Sequence, residues 1–146
     1  MQDQPEQKQP PPRWRMSIGE GVILLLNILT AGVSASLGLF AILWGSFREP
    51  TQPTGIVVYL LGGSLLLVAL GAGLTGLLLL LRQSRLAAWF QWLAALGGAL
   101  FLGTYLFLSR SSGSLQADLA LLAMMLFIIV LFVFSGWFLR RVGDEK

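Results

Sequence analysis

The sequence contains no cysteine and no histidine among its 146 residues. Without cysteine there are no disulfides, thiolate nucleophiles or iron–sulfur clusters, and the redox compartment stays undetermined. Without histidine, the chain lacks the commonest metal ligand and the usual general base. Only seven residues are acidic, and most of them lie in predicted tails and loops. We therefore expect no catalytic, cofactor-binding or metal-binding residues and a protein that is not an enzyme.

Charged residues are scarce as well, at 12% of the chain, whereas 55% of the residues are hydrophobic. A soluble domain carries about 25% charged residues. The net charge of +3 does not indicate a nucleic-acid partner, because the positive residues lie at the ends of apolar runs and form no patch. The lipid bilayer is the expected partner, and no nucleic acid or cofactor is expected.

Four apolar runs are long enough to cross a bilayer as helices, which takes about 20 residues each. They cover residues 21–47, 55–81, 86–108 and 119–139. None contains Lys, Arg, Asp or Glu, and their hydrophobicity is continuous rather than alternating, which favours helices over barrel strands. The segments between them are short, so successive helices are expected to be antiparallel neighbours. The sequence thus predicts an all-α fold, an integral membrane, antiparallel four-helix transmembrane bundle.

This transmembrane domain is predicted to occupy residues 17–141. Residues 1–16 are polar and rich in proline, which predicts a disordered N-terminal tail. Residues 142–146 are predicted to form a short C-terminal tail. The segments "REPTQPT" (48–54) and "SRSSGSLQAD" (109–118) contain turn-forming residues and are predicted to be loops.

Positive residues are distributed unequally between the two ends of the predicted helices. Eight lie in the two tails and in the turn between the second and third helices, namely Lys8, Arg13, Arg15, Arg82, Arg85, Arg140, Arg141 and Lys146. Two lie on the other side, Arg48 and Arg110. Because positively charged flanking segments remain in the cytoplasm, both termini are predicted to be cytoplasmic. The inner (cell) membrane of a bacterium is the expected location.

Glu20 immediately precedes the first apolar run, and two interpretations of it remain open. In the first, "SIGE" (17–20) is a capping box, in which Ser17 and Glu20 each accept a hydrogen bond from the other's backbone amide. The negative charge also suits the positive end of the helix dipole. In the second, Glu20 handles protons or a substrate in a transporter. The capping box is preferred, because Glu20 lies before the apolar run rather than within it.

Polar side chains within the apolar runs are few, and several are predicted to lie at one depth. Asn27 lies on the same helix face as Glu20, about 10 Å deeper. Thr75 and Gln91 lie at a comparable distance from the positively charged turn between the second and third runs. Such residues either form hydrogen bonds between helices, which we favour, or line a small polar cavity open to the cytoplasm. Together they form the predicted polar site, which consists of Glu20, Asn27, Thr75 and Gln91.

Small residues recur at helical spacing in the second and third runs. Membrane helices pack through such residues, since lipid provides no hydrophobic driving force between helices. The predicted packing residues are Gly62, Ala69, Gly73 and Gly76 in the second run and Ala95, Ala99 and Gly103 in the third. We expect the second and third helices to approach each other along them. The fourth run is bulky on every face and is expected to contact lipid rather than another protein.

Two functions remain compatible with the sequence. The favoured hypothesis is a non-catalytic multi-pass membrane protein, an accessory or assembly subunit that acts through helix–helix packing. Its partner would be another membrane protein or a second copy of the chain. The alternative is a small homo-oligomeric transporter that uses Glu20 and the polar level of Asn27, Thr75 and Gln91. The absence of any carboxylate within the apolar runs favours the first hypothesis.

Overall fold

The computed structural model describes residues 17–47, 53–112 and 115–144. These residues form four α-helices and no strand. The helices are α1 (Ile18–Ser46), α2 (Pro53–Leu80), α3 (Ser84–Ser112) and α4 (Leu115–Asp144). Each is long and apolar enough to cross a membrane. The predicted all-α fold with four transmembrane helices is therefore confirmed.

Several helices extend beyond the apolar runs that predicted them. α3 continues through Ser112 and α4 begins at Leu115, so most of the predicted loop 109–118 is helical. α4 also continues to Asp144, into the predicted C-terminal tail. An apolar run marks only the part of a helix that lies in the hydrocarbon core, which is about 30 Å thick. A helix of 29 residues such as α3 is about 43 Å long, so its ends extend beyond the apolar run. The predictions for residues 1–16, 48–52, 113–114 and 145–146 lie outside the described residues.

Extensive packing joins helices that follow one another in the sequence. α1 packs on α2, α2 on α3 and α3 on α4. α1 and α4 approach each other at one end, where Phe138 packs against Gly19. We call this end, which also holds the last residue of α2 and the first of α3, the terminal end. The helices form a curved row with α2 and α3 in the middle, and these two bury a larger share of their residues than α1 and α4 do.

Two glycines, one on each helix, allow the backbones of α2 and α3 to approach each other closely. A Cβ atom added to Gly71 would lie 2.7 Å from the backbone nitrogen of Ala94 and 2.8 Å from the carbonyl oxygen of Phe90. One added to Gly97 would lie 2.9 Å from the backbone nitrogen of Val68. These distances are shorter than a carbon contact of about 3.5–4.0 Å. Only glycine therefore allows the two backbones to lie this close.

The predicted packing residues of α2 are thus partly reassigned. Gly62 and Gly76 pack against α1 rather than α3: a Cβ on Gly62 would lie 2.7 Å from Ile42 Cγ1, and one on Gly76 would lie 3.5 Å from Leu24 Cδ1. α2 packs against both α1 and α3. The spacing of its small residues does not specify which of these two helices they contact. Ala69 is half-buried.

Other predicted packing positions lie on exposed faces. Gly73, Ala99 and Gly103 are exposed, and a Cβ on Gly103 would meet no atom of the described residues within 4 Å. Ala95, in contrast, is 7% exposed and belongs to a buried apolar cluster that includes Phe132 of α4. The small residues of α3 recur beyond Ala95, at Ala99 and Gly103, but only Ala95 is buried against other helices.

A tight turn at residues 81–83 reverses the chain between α2 and α3. The amide of Gln83 donates to the carbonyl of Leu78 (2.8 Å) and the amide of Arg82 to that of Leu79 (3.1 Å), which is the Schellman pattern of a helix C-terminus. Arg82 has a φ of 62°. Glycine is the usual residue at this left-handed position, because a Cβ is strained there. The turn thus combines a positive charge with local backbone strain.

Candidate functional site

The first turn of α1 contains the capping box that the sequence predicts. The Ser17 amide donates to Oε2 of Glu20 at 3.0 Å, and the Glu20 amide donates to Oγ of Ser17 at 3.2 Å. Ser17 has extended backbone angles, as an N-cap residue requires. The Glu20 side chain is buried, with 6% of its surface exposed. The carboxylate therefore satisfies a backbone donor at the start of the helix.

Thr75 lies between α2 and α3 and is fully buried. Its hydroxyl group is within hydrogen-bond distance of two carbonyl oxygens, that of Gly71 in its own helix at 2.8 Å and that of Ala87 in α3 at 3.2 Å. One proton is shared between two acceptors on neighbouring helices. Thr75 thus connects α2 to α3, in keeping with the preferred interpretation of the polar residues as contacts between helices.

Gln91 connects α3 to α4. Its Nε2 donates to Oγ of Ser135 at 2.7 Å, and the Ser135 hydroxyl donates to the carbonyl of Phe132 at 3.0 Å. A hydroxyl group has one proton. In this arrangement the proton goes to Phe132, and Ser135 accepts from Gln91. The amide oxygen of Gln91, Oε1, is buried and has no hydrogen-bond partner among the described residues.

Asn27 leaves a second amide oxygen without a partner. Its Nδ2 donates to the carbonyl of Ile23 one turn earlier in α1, at 2.8 Å. Exchanging the oxygen and nitrogen of the Asn27 amide would bring two acceptors together, which favours this orientation. Oδ1 is buried and has no partner among the described residues. Buried polar groups normally have one, and Asn27 and Gln91 therefore need explanation.

Asn27 and Gln91 both line a cleft between α1 and α4, which we call the α1–α4 cleft. It has a volume of about 690 Å³, and Leu65 and Val68 of α2 contribute to its lining. Most of the lining is aliphatic or aromatic. The polar side chains in it are Asn27, Thr30, Ser34, Gln91 and Ser135. The cleft exists because α1 and α4 contact each other at the terminal end and separate beyond it.

The structure thus brings together only part of the predicted polar site. Asn27 and Gln91 share the α1–α4 cleft, whereas Thr75 lies between α2 and α3, and Glu20 lies outside the lining. Ser135, which the sequence analysis did not select, joins them. Its position could have been found by counting, because it lies six residues before Arg141, as Gln91 lies six residues after Arg85.

No group of three or more Asp, Glu, His or Cys side chains that could hold a metal ion occurs in the described part of the chain. Comparison with known protein families, with curated proteins and with solved structures finds no match to this sequence.

Proposed function

We propose that this protein is a non-catalytic accessory component of a membrane, and that it acts by binding another membrane component in the α1–α4 cleft. The observation that supports this most directly is the cleft, with its volume of about 690 Å³. Small-molecule sites in proteins are commonly hollows of about 300–1,000 Å³ that are mostly apolar and carry a few polar groups. The α1–α4 cleft agrees with this description in size and in composition.

The chemistry of the lining favours binding over catalysis or ion transport. Among the described residues that form it, the polar groups are amides and hydroxyls, and none carries a charge. Neutral groups of this kind orient a bound molecule but do not exchange protons near neutral pH. Glu20 is outside the lining and participates in the capping box. A cation in the cleft would therefore have no opposite charge to balance it.

The rim of the cleft favours a component of the bilayer as the bound molecule. Val33 of α1 and Phe134 of α4 line the cleft and are 59% and 63% exposed. In a membrane these side chains would contact lipid chains. A molecule dissolved in the bilayer could therefore enter the cleft sideways, between α1 and α4, without crossing water.

An orientation in the membrane belongs to the same proposal. Eight of the ten positive residues precede α1, lie in or beside the turn of residues 81–83, or lie in the last turns of α4 and after it, which supports a cytoplasmic location for the terminal end. The inner membrane of a bacterium is the proposed location. The molecule in the cleft would then be bound closer to the cytoplasmic side of the bilayer.

Two tryptophan substitutions on α1 test the proposal. Val33 lines the cleft, whereas Leu37, one turn further along the same helix, is 53% exposed and lies outside the lining. The full chain would be purified in mild detergent and its bound molecules identified by native mass spectrometry. We expect the wild type and Leu37→Trp to retain the same bound lipid or protein and Val33→Trp to lose it. A wild type that carries no bound molecule, or a Val33→Trp variant that retains it, would refute the proposal.

A further inference from the structure

The shape of the α1–α4 cleft restricts what can occupy it. Along α1 the lining extends from Gly19 to Ser34, which is a length of about 22 Å. A lipid chain spans one leaflet, about half of a hydrocarbon core about 30 Å thick. The mostly apolar cleft is therefore long enough to hold one hydrocarbon chain along its length.

The terminal end of the cleft is closed, which argues against a spanning helix as the occupant. A Cβ added to Gly19 would lie 3.1 Å from Cζ of Phe138, so the ring of α4 is in contact with the backbone of α1. A partner helix that crosses the whole membrane would have to pass through this contact. A flexible chain that enters from the side and reaches only part of the way would not.

The two amide oxygens without partners indicate which chemical group the chain should carry. Asn27 and Gln91 are 1% and 2% exposed and contribute to the lining of the cleft. Less than 1 Å² of each amide oxygen is exposed, so a small rotation of the side chain brings the oxygen into contact with a hydroxyl group in the cleft. Asn27 lies nine residues after Ile18, and Gln91 seven residues after Ser84. Both are therefore about 10–14 Å from the terminal end of the bundle. Two acceptors at one level are complementary to a hydrogen-bond donor, and they repel a group that only accepts.

From the shape and the two oxygens we infer that the α1–α4 cleft binds a long-chain alcohol: a single hydrocarbon chain lies along the cleft, and its hydroxyl group donates a hydrogen bond to Oδ1 of Asn27 or Oε1 of Gln91. This inference rests on the proposed function and adds the chemical class of the bound molecule. A hydroxyl also accepts, so it can take the second proton of either amide nitrogen. An alkane or a chain that carries only an ether or ester oxygen leaves both amide oxygens without a donor.

The experiment compares two photoreactive probes, of which only one has a hydroxyl group that can donate a hydrogen bond. The first is a 16-carbon alcohol with a diazirine next to the hydroxyl-bearing carbon, and the second is its methyl ether. The full chain would be reconstituted in phosphatidylcholine vesicles, whose lipids carry no hydrogen-bond donor, and the labelled residues would be mapped by mass spectrometry. We expect the alcohol to label the wild type about five-fold more than the ether, which is the preference that one net hydrogen bond provides. We expect its labels within one helical turn of Asn27 or Gln91.

Variants then assign the preference to the amide oxygens. Asn27→Leu and Gln91→Met keep the side-chain size and remove the oxygen, and each is expected to lower the ratio of alcohol to ether labelling toward one. Val33→Trp is expected to prevent labelling of the cleft by both probes, and Leu37→Trp to leave both unchanged. Should an amide variant fail to fold, as judged by its circular dichroism, the position of the labels in the wild type still decides.

The outcomes separate this inference from the proposed function. Equal labelling of the wild type by both probes, with both signals lost in Val33→Trp, would overturn the alcohol and leave binding in the cleft intact. A five-fold ratio that persists in Asn27→Leu and in Gln91→Met, or labels far from both residues, would also overturn it. Labelling of Val33→Trp at the wild-type level would overturn both proposals.

Discussion

Replacing Gly71 with alanine should destabilise the bundle, whereas replacing Gly73 should stabilise it slightly. The Cβ of Gly71→Ala would lie 2.7 Å from the backbone nitrogen of Ala94 and 2.9 Å from its Cβ. Contacts of this kind relax to about 3.5 Å, so α2 and α3 must separate by up to about 0.8 Å. A gap of about 0.5–1 Å forfeits a quarter to a half of the dispersion energy at the remaining contacts. Overpacking of this kind costs about 1–3 kcal/mol.

Gly73→Ala is the matched control for this substitution. Gly73 is in the same helix and is exposed, and its added Cβ would meet only the Cβ of Ala31, at 3.8 Å. Alanine is favoured over glycine in a helix by about 1 kcal/mol, and both variants have this gain. The difference between them, about 1–3 kcal/mol, therefore reports the clash. It can be measured by reversible unfolding in mixed detergent micelles, followed by circular dichroism. Equal stabilities would show that α2 and α3 do not approach at Gly71.

Three further predictions follow from the helix ends. Ser17→Ala should destabilise the first turn of α1 by about 1 kcal/mol and Glu20→Gln by less, because an amide oxygen can still accept from the Ser17 amide; faster amide hydrogen exchange in Glu20→Gln than in Ser17→Ala would contradict the capping box. Arg82→Gly should be more stable in thermal unfolding than Arg82→Ala by about 1 kcal/mol, since both lose the arginine side chain and differ only in left-handed strain; equal stabilities would argue against the φ of 62°. In intact cells, an impermeant thiol reagent should label a cysteine in place of Phe47 and not one in place of Gln83, both of which are exposed; the reverse pattern would invert the proposed topology.

Features that depend on neighbouring residues in the sequence were predictable, and those that depend on helix partners were not. The capping box follows from the spacing of Ser17 and Glu20 alone, and the structure contains it. The common depth of Asn27 and Gln91 follows from counting residues from the helix ends. The α2–α3 approach at Gly71 was missed, because Gly71 is not one of the small residues of α2 that recur every seven residues, such as Gly62, Ala69 and Gly76. The small residues identified a face of α2 that packs against another helix, but they did not identify that helix as α1.

The α1–α4 cleft was beyond sequence analysis for a different reason. Its walls belong to the first and last helices, whose separation depends on how each successive helix crosses the one before it. No residue pattern within α1 or α4 specifies that distance. Asn27 and Gln91 were predicted as polar residues at one depth, and Ser135 could have been added because its depth matches that of Gln91. Its hydrogen bond to Gln91 was not predictable, because it depends on α3 and α4 being neighbours.

The consecutive packing of the four helices has a consequence for biosynthesis. Each helix that enters the membrane finds its main partner already there, because α1 precedes α2, α2 precedes α3 and α3 precedes α4 in the extensive contacts. Contacts between segments close in sequence form quickly and need no long loop to be ordered first. The contact between Gly19 and Phe138 is the exception, since it joins the first helix to the last. During translation, the α1–α4 cleft is therefore the final feature to assemble, and a chain truncated before α4 would contain three packed helices and no cleft.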